Sequence, residues 1–79
     1  MQFSYFDFMK EQILLSFGKR IKELRLEAKL SQEKFAEICG FHRTYIGMIE
    51  RGERNPSLKN MQIISKSINK SLSELLKDV

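Results

Sequence analysis

One cysteine, one histidine, one proline and no tryptophan stand in this chain of 79 residues. A lone cysteine excludes an internal disulfide, and a single histidine beside it leaves a structural zinc site short of ligands. Cys39 falls on the apolar side of a helical pattern, where cysteine serves as a small hydrophobe. No apolar run approaches the roughly 20 residues that span a bilayer. The opening MQFSYFDFMKEQ lacks the basic start and smooth apolar stretch of a signal peptide. Also missing are a paired acid/base site, a glycine-rich phosphate loop and a nucleophile beside the histidine, so an enzyme is not expected. The expectation is a cytoplasmic chain with no membrane contact, no metal and no cofactor.

What is present is ordinary for a globular domain: 42% hydrophobic and 30% charged residues, too apolar for disorder. A chain this short buries only about 60% of its unfolded surface, and small helical domains often recover stability by pairing. The net charge of +4 fits a nucleic-acid partner without demanding one.

Hydrophobic period organises most of the chain. Phe3, Tyr5, Phe6 and Phe8 crowd residues 1–9 with no helical repeat, and these residues read as an aromatic N-terminal extension that must pack on the body or find another surface. Residues 10–79 form the domain proper. From about Lys10 to Lys29, Ile13, Phe17, Ile21, Leu24 and Ala28 recur at helical spacing. Ser31 then caps a short helix with Phe35, Ala36 and Cys39 on one face, and Gly40 supplies a turn. A second short run opens at His42 or Arg43, carries Tyr45, Ile46 and Ile49, and stops at Gly52. Asn55-Pro56 marks a turn before a fourth helix over 57–68 with Leu58, Met61, Ile64 and Ile68 inward. Ser71 and Glu74 form a capping-box signature for a short fifth helix.

The prediction is an all-α, compact five-helix bundle with a helix-turn-helix at its second and third helices. Two helices that short cannot stand alone in water, so the bundle must hold them. In a helix-turn-helix, the opening turn of the second motif helix enters the major groove. Here that turn carries Arg43 and Thr44, off the Ile46/Ile49 face.

Gln32, Ala36, Gly40, Ile46, Ile49-Glu50-Arg51-Gly52 and Asn55-Pro56-Ser57-Leu58, in this order and spacing, resemble the lambda-repressor-like, Cro/C1-type helix-turn-helix family. The likeness runs from roughly Phe17 to Leu76. The run HRTYIGMIERGERNPSL is also similar to the controller proteins of restriction–modification systems, through Arg43-Thr44-Tyr45-Ile46 and Ile49-Glu50-Arg51.

A guanidinium at Arg43 can donate two parallel bonds to guanine O6 and N7, and its position matches a base-contacting one of the family. Thr44 can meet a base, a thymine methyl or a phosphate. Tyr45, beside the apolar face, reads equally as a core residue with its hydroxyl at the DNA edge and as a base contact; the resemblance makes Arg43, Thr44 and Tyr45 the recognition trio. Met48, one turn on, is placed for a thymine methyl. Gln32 is set to bond a phosphate, as the family uses it. His42 serves as a helix cap and a phosphate contact, and Arg51, Arg54, Asn55 and Lys59 would grip phosphates without carrying base information. Gly47, costly in a helix, either makes room for a facing surface or is a tolerated change. The resemblance further implies an ion pair between Arg25 and Glu50, structural in role, and pairing of two copies through the C-terminal end. There Leu58, Ile68, Leu72 and Leu76 offer more apolar surface than one short helix needs, unless all four turn into one core.

The function expected is a sequence-specific, DNA-binding regulator of transcription acting on double-stranded DNA as a homodimer, in the manner of a restriction–modification controller. A phage-type repressor stands beside it. So does an antitoxin that masks a toxin protein, for which the aromatic N-terminus would be a partner surface.

Overall fold

A computed structural model describes residues 4–79 as five helices with no strand among them: α1 (Tyr5–Glu27), α2 (Gln32–Cys39), α3 (Arg43–Glu50), α4 (Leu58–Ser67) and α5 (Leu72–Leu75). Side chains mark each start. Ser31, Ser57 and Ser71 accept a bond from the backbone N–H three residues on, and Glu74 returns the favour by accepting from the Ser71 N–H at 3.1 Å. Gly40 closes α2 at φ 77°, a left-handed conformation that glycine adopts without a Cβ clash.

The first helix departs from its sequence expectation. It opens at Tyr5, about five residues before the apolar period begins, because Ser4 and Asp7 make a complete capping box: the Asp7 N–H donates to Ser4 Oγ at 3.1 Å and the Ser4 N–H to Asp7 Oδ2 at 3.2 Å. Of the aromatic extension, Met1, Gln2 and Phe3 lie outside the described residues, and Tyr5, Phe6 and Phe8 are helical and exposed. At its other end α1 stops at Glu27, two residues early, where Lys29 turns to φ 60° and the Leu30 N–H returns to the Arg25 carbonyl at 3.1 Å.

Phe17, Ile21 and Leu24 of α1 meet Phe35, Ala36 and Cys39 of α2, Ile46 and Ile49 of α3, Ile64 of α4 and Leu75 of α5 in one buried cluster. Three residues expected inward are not. Ile13 is 54% and Leu58 66% exposed, and Ala28 is exposed as the C-cap of α1. Ile13 lies beyond the part of α1 that the bundle covers, and Leu58 sits in the first position after the Ser57 cap. Burial pushes the Cys39 thiol up, against a smaller lowering by a bond with Ser67, which leaves it protonated and inert.

Candidate nucleic-acid interface

The exposed opening turn of α3 is held by a frame built from three other segments. Its turn from α2 closes through the Phe41 N–H donating to the Ala36 carbonyl at 2.9 Å. At the far end, Gly18 of α1 backs directly onto α3: a Cβ there would lie 2.4 Å from the Ile49 carbonyl oxygen and 2.7 Å from that of Glu50. Only a glycine lets the two backbones approach so closely.

Beside that contact the structure brings Arg25 and Glu50 together. Arg25 Nε donates to Glu50 Oε2 at 2.6 Å and Nη2 to Oε1 at 3.0 Å, with the two side chains 8% and 3% exposed. The remaining Arg25 nitrogen, Nη1, reaches the Leu30 carbonyl at 2.8 Å, and Gln32 Nε2 donates to Glu50 Oε1 at 3.0 Å. The buried carboxylate therefore receives three N–H donors from α1 and α2, the bidentate geometry that makes a buried pair tenable. Gln32, expected at a phosphate, has one amide hydrogen committed to this network and the other left to offer.

At the tip, His42 caps α3 with Nδ1 accepting from the Thr44 N–H at 3.1 Å. Arg43 and Thr44 are exposed, and among the described residues the Arg43 guanidinium has no hydrogen bond or ion pair. Tyr45 is half-buried and held on three sides. Phe41 packs edge-on at 5.0 Å, the Arg54 guanidinium lies over its ring at 5.7 Å, and Asn60 Nδ2 donates to its hydroxyl oxygen at 3.0 Å. The hydroxyl keeps its own proton to donate. Met48 is half-buried on the same helix.

The loop after α3 carries the cations expected there. Arg54, Asn55 and Lys59 are exposed. Arg51 is exposed too, but its Nε donates to Glu53 Oε2 at 2.7 Å. That bond, and then the charges, raise the Arg51 pKa and hold the Glu53 carboxyl below its usual range. Gly47 is buried, and a Cβ on it would come within 3.2 Å of Arg51 Nη1 and 3.8 Å of Gln32 Oε1, so the glycine gives these two flexible ends their room.

At the C-terminal end, Leu58 and Leu76 are exposed, whereas Ile68 and Leu72 are half-buried against the chain's own core. Sequence reasoning did not single out Gly18, Phe41, Glu53 or Asn60. A glycine inside the Phe17/Ile21 stripe was the available signal for the first. The partners of Asn60 and Phe41 are set by the fold.

Among the described residues no helix is long and apolar enough to cross a membrane, and no group of acidic, cysteine and histidine residues is assembled as for a metal ion.

A two-helix motif with a rigidly mounted, exposed basic tip defines a DNA-binding module, and the family comparison agrees. The family model described as Helix-turn-helix matches residues 21–75, and the chain belongs to the Cro/C1-type helix-turn-helix family. It is a DNA-binding regulator of transcription rather than an enzyme. Among its relatives, control protein C.BamHI of Bacillus amyloliquefaciens is 46% identical over 69 residues, spanning 86% of this chain and 85% of that protein. Control protein C.SmaI of Serratia marcescens is 47% identical over 59 residues, 75% of this chain and 70% of the other. The crystal structure of the restriction–modification controller protein C.AhdI from Aeromonas hydrophila superposes with a TM-score of 0.77 at 42% identity, covering 78% of this chain and 94% of that one.

Proposed function

We propose that this chain is the controller protein of a restriction–modification operon and works in the cytoplasm by binding operator DNA as a homodimer. The observation that carries this reading is the exposed Arg43 guanidinium, without a polar partner among the described residues, on the opening turn of α3, a helix fixed to the body by the Arg25–Glu50–Gln32 network. The likeness to control proteins at 46% identity adds the biological setting.

In this reading Arg43 donates its two parallel bonds to a guanine, and Thr44 meets the neighbouring base or its methyl group. Tyr45, clasped by Phe41, Arg54 and Asn60, reaches the DNA with its hydroxyl proton, and Met48 offers its thioether end to a thymine methyl. Gln32, His42, Arg51, Arg54, Asn55 and Lys59 hold phosphates and set the register. His42 does so through the Nε2 side of its ring, because Nδ1 is occupied by the cap. One such module reads too few base pairs for specificity, so two copies pair through the end carrying Leu58, Ile68, Leu72 and Leu76. Exposure favours Leu58 and Leu76 as its contact residues.

Footprinting of the protein on DNA upstream of its own gene tests the proposal. Two protected half-sites are expected, centred about one helical turn or a whole multiple of turns apart. Uniform protection without half-sites, or none beside a methyltransferase and endonuclease pair, would refute it.

A further inference from the structure

The apolar stripe of α1 continues past the end of the chain's own core. Phe17, Ile21 and Leu24 are buried, yet the same face carried toward the N-terminus holds Ile13, Met9 and Tyr5, at 54%, 46% and 71% exposure, flanked by Phe8 at 49%. From Tyr5 to Ile13 the helix runs about 12 Å, and the described residues leave that face exposed. The stripe ends in a groove of about 250 Å³ whose lining includes Ile13, Leu14, Met61, Leu76 and Val79 and no charged residue. A shallower depression joins it through Ile13 and Val79 and extends to Phe8 and Tyr5.

We propose that residues 5–13 of α1 form an arm that docks on a second copy of this chain, each arm laid against the partner's groove between α1 and the residues that follow α5. The inference rests on the homodimer reading and adds a surface to it. Two observations select a second copy as the occupant.

The first is continuity. Leu76 belongs both to the groove and to the C-terminal end read as the pairing face, and in a two-fold dimer any surface beside the axis is presented to its own copy. The second is area. A stable interface needs about 800 Å² from each partner, and of the large apolar side chains at the C-terminal end Leu58, Ile63 and Leu76 alone are exposed, with Ile68 and Leu72 already spent on the core. The aromatic arm supplies the missing surface in the residue types that dominate interface contacts. DNA is disfavoured as the occupant, because residues 5–13 carry Asp7 and Glu11 against one cation, Lys10.

The test is sedimentation equilibrium on the full chain and on its Phe8→Glu and Ile13→Glu variants. Both positions are about half exposed, so each variant should keep the far-UV circular dichroism of the parent. The expected result is dimer association weakened about tenfold or more in both, with Leu58→Glu weakening it independently. A photo-reactive phenylalanine analogue at position 8, in a mixture of isotopically heavy and light chains, should join heavy to light through the Leu72–Val79 peptide. Unchanged dimerisation of both arm variants, or cross-links confined to one chain or to a different protein, overturns the arm while leaving the homodimer standing. A parent chain that stays monomeric at every concentration and on operator DNA overturns both.

Discussion

Two arginines eight residues apart are put to different use by their surroundings. Arg43 is exposed and without a polar partner among the described residues, whereas Arg51 is held by Glu53 at 2.7 Å. Arg43→Ala should cost about 1–3 kcal/mol in operator binding and relax preference at one base position of each half-site. Selection from a randomised half-site measures this, and an unchanged consensus would count against base reading. Glu53 takes the Nε hydrogen and one Nη2 hydrogen of Arg51 and offsets its charge, so it competes with a phosphate for the guanidinium. Glu53→Gln removes a negative charge near the backbone and frees the guanidinium. Affinity should rise about threefold to tenfold, equally on specific and nonspecific DNA, since phosphate contacts carry no sequence information. A gain confined to the operator, measured by anisotropy on both DNAs, would mean that Glu53 acts through α3 instead.

At the scale of elements, the recognition helix is positioned by what lies beneath it. Gly18→Ala places a methyl group 2.4 Å from a carbonyl oxygen of α3, and neither backbone can yield without moving α3. Overpacking of this kind costs about 1–3 kcal/mol, and the gain in helix propensity of about 1 kcal/mol offsets only part of it. Urea unfolding should show a less stable protein, and operator affinity should fall beyond what the unfolded fraction explains. The helix caps respond to acid. Asp7 and Glu74 lie below their usual carboxylate range because Ser4 and Ser71 donate to them, through the Ser4 side chain first and the Ser71 backbone N–H first. A depressed folded-state pKa means stabilisation present in full above the ordinary carboxylate range and lost as pH falls through the lowered values. Helicity followed by circular dichroism should therefore hold from neutral pH to about 5 and decline only below about 4, with Glu74→Gln flattening part of that decline. A transition centred above the ordinary carboxylate range would contradict these assignments.

Taken as a molecule, the chain was most readable where chemistry is local. Ser31, Gly40, Ser57 and the Ser71–Glu74 box announced helix ends within a few residues, and the Phe17/Ile21/Leu24 stripe announced the core. The start of α1 was missed because aromatic crowding masks the period there, although Ser4 and Asp7 carried a cap signal. The commitments of Gln32 to Glu50 and of Tyr45 to Asn60 join residues 18 and 15 positions apart, a distance no short window spans. Those commitments bear on how the proposed dimer should answer to salt. Gln32 is neutral and Tyr45 donates a hydroxyl, so neither displaces a counterion. Arg54 and Lys59 do, and Arg51 does once Glu53 releases it. Two copies then neutralise four to six phosphates, and log affinity for the operator should fall against log salt with a slope between about −4 and −5. Glu53→Gln should hold the slope at the steep end, and Lys59→Ala should make it shallower by about two, one for each copy. A slope near −1 in filter binding would mean that the loop cations are not at the DNA backbone and that the module meets duplex DNA in some other orientation.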